Sequence, residues 1–215
     1  MKKITLLVCI LMAMFVNAQD DATTSDKLTF AKGTQLINGS ITLNIGNSDV
    51  EGTTQTQESK NFGFSISPSY AYAISEDFFL GLGLGYGYNS RENELNGVTD
   101  SETKASSYNI FPYVRYYKGI GKKLAFYIQG EARYSYTNFE FNGVDGSTSN
   151  RFFIGVRPGI TWMLNKNLGL ETSIGALGYT TDKVENETTG TDVKTNNINF
   201  SLNSSNLLFG LSYYF

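Results

Sequence analysis

Five charged side chains stand in strand-like runs whose opposite face is apolar: Arg115, Glu131, Arg133, Arg157 and Glu171. Each sits at an alternate position of its run, so all five share the side that faces away from the large hydrophobic residues. Acids and bases gathered in one confined space pair to hold structure, or they handle protons and charged ligands. The composition narrows that choice. The 215 residues include no histidine, which makes a Ser-His-Asp/Glu arrangement impossible and excludes zinc sites built on His and Cys. An unconventional carboxylate site is the one enzymatic reading left. The plainer reading is a non-enzymatic paired network, with no cofactor and no metal.

Spacing predicts one contact within that set. Glu131 lies eight residues beyond Lys123, and Arg157 lies eight residues before Asn165. Counted from the short turns at 119–122 and 165–167, the two are therefore level on neighbouring strands. We expect a Glu131–Arg157 pair, with Arg115, Arg133 and Glu171 above or below it as a charged plug. The alternative is that these side chains only fill and solvate the interior.

The elements that must carry these residues are strands. Residues 61–90 show it best. Phe62, Phe64, Ile66, Tyr70, Tyr72 and Ile74 alternate with Gly, Ser and Ala; after Glu76-Asp77, Leu80, Leu82, Leu84, Tyr86 and Tyr88 alternate with four glycines. Period two over two such runs means a β-hairpin. Its second face carries no charge to meet water, so bulky groups outside and small groups inside indicate a barrel whose solvent is lipid. The same pattern predicts strands at 34–46, 106–118, 123–138, 151–164 and 168–180, and a last one ending at Phe215. The reading is an all-β fold: an eight-stranded antiparallel transmembrane β-barrel. Its short turns are periplasmic, and its four long extracellular loops fall at 47–60, 91–105, 139–150 and 182–196.

Outward aromatics gather near both ends, Phe62, Tyr108, Tyr134 and Phe152 at the long loops and Tyr72, Tyr116, Trp162 and Tyr213 at the short turns, as interfacial girdles do. Pro68, Pro112 and Pro158 each lie outward seven residues before a turn, where a missing ladder donor predicts a bulge or kink. In the last strand Ile198 and Phe200 share one parity, Leu211, Tyr213 and Phe215 the other, and a bulge within 203–206 would reconcile them.

Residues 1–18 read as a signal peptide: Lys2 and Lys3, an apolar run from Ile4 to Val16, and a small-residue cleavage site ending at Ala18. The run is too short for a spanning helix. Its removal would take the chain from 215 to 197 residues and the net charge from −3 to −5. Cys9 would leave with it, so disulfides and thiolate chemistry are excluded. Residues 19–33 are polar and aperiodic, a flexible periplasmic lead-in to a barrel at 34–215. Mean hydropathy of −0.22 is ordinary for a membrane barrel, in which lumen and loop residues dilute the apolar half. The long loops carry thirteen acidic residues against six basic ones, counting Arg151 at the edge of the third. That surface would suit divalent cations or basic partners, or simply stay solvated. Its sign disfavours nucleic acid, and no Asp-x-Asp-x-Asp-Gly spacing supports a calcium loop.

The Pro68-x-x-x-Tyr72 strand running into FFLGLGLGYGY, together with the terminal Leu211-Ser212-Tyr213-Tyr214-Phe215, resembles the small outer-membrane β-barrel proteins of the OmpA/OmpX type from Gram-negative bacteria. The resemblance spans the mature chain and implies a place in the cell outer membrane. It implies insertion by the outer-membrane assembly machinery, with Leu211, Tyr213 and Phe215 similar to the signal that machinery reads. The expected surroundings are the lipid bilayer and lipopolysaccharide, with the barrel a monomer. Members differ widely in function. A structural or surface-binding barrel with a charge-plugged lumen, a narrow ion or small-solute channel, and an accessory barrel of a secretion system all stay open. A wide pore, which needs about 16 strands, does not.

Overall fold

A computed structural model of the chain describes residues 27–51, 55–186, 189–201 and 208–215. They form β1 (Gln35–Glu51), β2 (Thr56–Ser75), β3 (Phe78–Leu95), β4 (Val98–Gly119), β5 (Leu124–Phe141), β6 (Val144–Met163), β7 (Leu168–Ser173), β8 (Ala176–Asn186), β9 (Thr191–Ser201) and β10 (Leu208–Tyr214). Neighbours from β1 to β7 pair antiparallel, β10 pairs with β7, and β1 with β10 closes an eight-stranded ring. The closing register runs from Leu36–Tyr214 to Gly39–Leu211. Beyond it, among the described residues, β1 pairs with β2 and β9 with β8.

The expected parity holds on both faces. Ile41, Leu80, Leu82 and Leu84 are exposed, whereas Ala71, Ala73, Phe79 and Tyr117 are buried inside the ring. Phe62, Tyr108, Tyr134 and Phe152 at one end, and Tyr72, Tyr116, Trp162 and Tyr213 at the other, are exposed as well. Among the described residues no helix is long and apolar enough to cross a membrane; strands make the crossing.

The glycines of β3 have a specific reason to be there. Gly81 lies opposite Tyr113, Gly83 opposite Phe111 and Gly85 opposite Asn109. A Cβ on each glycine would collide with that partner's side chain. The smooth wall of β2 and β3 is thus the space into which the large inward residues of β4 lean.

Four readings of the sequence change. The long connections are not open loops: strand pairing continues through them as hairpin arms. Two arms end in Asn-Gly turns, with φ of 53° and 78° at Asn96 and Gly97 and of 52° and 77° at Asn142 and Gly143, the left-handed pair that a two-residue hairpin requires. Each asparagine also accepts a neighbouring arm's N–H, Thr56 to Asn96 at 2.9 Å and Glu102 to Asn142 at 2.7 Å.

Second, the run predicted as one strand at 168–180 is two, β7 and β8. Gly175, at φ 141°, interrupts it, so that inward Glu171 and outward Leu177 and Tyr179 come to share odd numbering. Third, the prolines act unequally. Pro68 and Pro112 leave gaps in the β2–β3 and β4–β5 ladders with no change of register, because only the missing N–H is lost. At Pro158 the register shifts by one between the β7 and β8 pairings, and the proline's carbonyl accepts from Ile174 N at 3.0 Å. The predicted bulge at 203–206, like the signal peptide at 1–18, lies outside the described residues; Ile198 and Phe200 on one side, and Leu211 and Tyr213 on the other, are exposed with opposite parity.

Fourth, the flexible lead-in is not free throughout. Leu28 N donates to Gly121 O at 2.8 Å, Phe30 N to Asp77 Oδ1 at 2.7 Å and Gly33 N to Ala73 O at 2.9 Å. Phe30 enters the periplasmic mouth and stacks on Tyr214 with centroids 4.5 Å apart, against Tyr117 and Phe79. Aromatic burial of this kind, with these backbone hydrogen bonds, offsets the cost of ordering the segment. Composition alone hid it, since two large apolar residues, Leu28 and Phe30, in a polar stretch make no period.

Candidate functional site

The lumen holds the chemistry. β4 contributes Arg115, β5 contributes Gln129, Glu131 and Arg133, β6 contributes Arg157, and β7 contributes Glu171. Strand alternation aims every one inward, and antiparallel register sets the heights. Gln129 faces Arg157 across the β5–β6 pair, and Arg115 faces Gln129 across β4–β5.

In the lower half Glu171 is the hub. Arg115 Nη1 donates to Glu171 Oε2 at 2.8 Å, as does Asn38 Nδ2 at 2.8 Å. Glu171 Oε1 accepts from Tyr214 OH at 2.8 Å, Tyr117 OH at 3.1 Å and Thr161 Oγ1 at 3.3 Å. Both side chains of the Arg115–Glu171 pair are buried, and burial of this depth is tolerable only because every nitrogen and oxygen of the two charged groups has a hydrogen-bond partner.

Gln129 joins this half to the next. Its Oε1 accepts from Arg115 Nε and Nη2 at 2.9 and 2.7 Å, and its Nε2 donates to Glu131 Oε2 at 2.7 Å. Glu131 Oε1 then accepts from Arg157 Nε at 2.9 Å and from Arg133 Nε at 3.2 Å. Arg133 lies over the Phe111 ring, 3.9 Å from its centroid, and Arg157 beside Phe153 at 5.1 Å.

All five charged residues singled out by parity therefore meet in one network, and Glu131 and Arg157 touch, but they are not level as the count from the turns predicts: Glu131 lies opposite Gly155, and Arg157 reaches it diagonally from its place opposite Gln129. Sequence reasoning missed the neutral members: Gln129 and Tyr117 bridge the charges, and Asn38 and Tyr214 donate to Glu171, yet none carries a charge. Their inward parity was the available signal. Beneath the network Phe30, Phe79, Tyr117 and Tyr214 form an aromatic floor. At its edge burial pushes the Asp77 carboxyl up from its ordinary value, against the hydrogen bond from Phe30 N.

On the arms, cations and acids largely absorb one another. Lys60 reaches Glu94 at 2.6 Å, Lys104 reaches Glu102 at 2.9 Å, Arg151 reaches Asp182 at 2.6 Å, and Lys183 reaches Glu185 and Asp192 at 2.6 and 3.0 Å. Exposed pairs of this type contribute little to stability, because solvent screens them. Among the described residues no acidic cluster could hold a metal ion. Leu211, Tyr213 and Phe215 stand exposed on the outer face of the closing strand.

The family model of the outer membrane protein beta-barrel domain matches residues 6–215. Solved structures similar to the chain include the outer membrane protein OprG from Pseudomonas aeruginosa, at 12% identity and TM-score 0.47 over 86% of this chain and 97% of that one. Neisserial surface protein A is similar at 17% identity and TM-score 0.39, over 88% of this chain and 100% of that one. Ail, the attachment invasion locus protein of Yersinia pestis, is similar at 15% identity and TM-score 0.39, over 86% and 99%. No curated protein matches the chain in sequence.

Proposed function

The chain belongs to the outer membrane protein β-barrel family, and on that premise we propose that it is a closed, non-enzymatic barrel, structural or surface-binding, that conducts nothing. One observation carries this reading. A continuous chain of hydrogen bonds crosses the lumen from Asn38 on β1 through Glu171, Arg115, Gln129 and Glu131 to Arg157 on β6. The Phe30 layer lies beneath it. An eight-stranded barrel is only wide enough for side chains to fill, so a cross-braced set leaves little passage. The exposed apolar belt would face lipid and lipopolysaccharide, and the terminal Leu211, Tyr213 and Phe215 would engage the assembly machinery of a monomeric barrel.

Planar-bilayer recording on refolded protein tests the closed lumen. The expected trace shows no steady conductance; a large, steady one would overturn the reading. A second reading, a narrow conductor, is favoured by a polar cavity of about 150 Å³ bordered by Asn38, Ser40, Ser67 and Ser69 beside the charged residues. Under it, Phe30→Ala would open a small ohmic conductance, whereas the cross-braced plug would hold without the floor.

A further inference from the structure

Outward of the plug the lumen opens into a vestibule of about 500 Å³ between β5, β6, β8 and β9. Its floor carries a charge that the plug does not cancel. Arg115 and Glu171 neutralise one another below, but Arg133 and Arg157 share the single carboxylate of Glu131. Both arginine side chains remain 26% exposed, and both line the vestibule.

Their unused donors are specific. Arg133 Nη1 reaches Asn109 Oδ1 at 3.3 Å. Among the described residues, Arg133 Nη2 and both Nη atoms of Arg157 have no acceptor. Phe111 and Phe153 support the two guanidinium planes from the side. The carboxylate that lines the vestibule itself, Asp182, is already taken up by Arg151 and Ser149. Thr180, Asn197 and Asn199 supply neutral hydrogen-bonding groups on the facing walls. Two partly buried guanidinium forks with free N–H edges and a surplus positive charge match the geometry of a compact oxyanion.

We propose that the vestibule floor binds a small, freely diffusing oxyanion of the phosphate, sulfate or carboxylate class, entering from the extracellular side and held between Arg133 and Arg157. A lipid headgroup is the wrong occupant, because β5, β6 and β8 pair continuously at this height and turn Tyr134, Ile154 and Tyr179 toward the lipid. The site rests on the same network as the closed lumen but concerns only its outer face. Conductance tests one and binding the other.

The test is a titration of inorganic phosphate into the refolded full barrel at constant ionic strength. Saturable one-to-one binding is expected, weakened at least about tenfold in Arg157→Gln and tightened in Glu131→Gln, where the competing carboxylate is gone. A measurement on the unaltered protein guards against variants that fail to fold: phosphate should protect Arg133 and Arg157 from phenylglyoxal, read by peptide mass, and leave Arg91 on an arm unprotected. Absence of saturable binding, affinity unchanged in a folded Arg157→Gln, or no selective protection would each overturn the proposal.

Discussion

Glu131 and Glu171 carry the same charge in the same lumen but in different company. Glu171 is buried at the foot of the network and is the counter-charge to a buried Arg115. Replacing it with alanine leaves that buried guanidinium without its counter-charge, a loss of roughly 3–5 kcal/mol. Glu131 restrains two arginines that both reach the vestibule, so its removal lets them turn toward solvent and costs about 1–3 kcal/mol. Urea titration of the barrel refolded into lipid vesicles should rank Glu171→Ala below Glu131→Ala in stability, and the reverse order would contradict the division between a buried lower arginine and two part-exposed upper ones. The charged members were legible in the sequence because a charge opposite an apolar face stands out. Their neutral bridges were not: Gln129 and Tyr117 look like any other inward residue until the register places them between charges.

At the scale of the strand, β3 and β4 specify each other. Gly83 is small because Phe111 fills its place, so Gly83→Val should prevent recovery of a folded barrel, and adding Phe111→Ala should restore it in part. Heat-modifiability on electrophoresis reads both variants; failure of the double variant to improve on the single one would show that the glycine serves some other need. Alternation in β2 and β3 spelled out these strands over their whole length. The arms were obscured because their two faces are both polar, which erases the period-two signal while the ladder itself persists. Asn96-Gly97 and Asn142-Gly143 were the local signs that pairing continues, since that dipeptide favours tight two-residue turns. The division of β7 from β8 had no comparable mark, for a one-residue slip beside a glycine resembles ordinary variation until the partner strand's register is known.

For the molecule as a whole, closure falls to the two ends of the barrel. Gln35 and Phe215 exchange backbone hydrogen bonds of 2.7 and 3.0 Å, and the Phe215 ring lies outside, exposed. Phe215→Ala keeps the backbone bonds and removes only the ring. If the aromatic is read during assembly, that variant should fall in outer-membrane abundance as far as a deletion of Phe215 does, yet refold normally in detergent. Wild-type abundance in cells would count against an assembly role. Phe30, near the opposite end of the described chain, adds a matter of timing. Its place is made by Phe79, Tyr117 and Tyr214, from strands that come together only once β10 has met β1. Synthesised before every strand it touches, this ring is among the last to settle. Its burial therefore dates the moment of closure: a chain with Phe30 still in water is an unfinished barrel, however many of its hairpins have already formed.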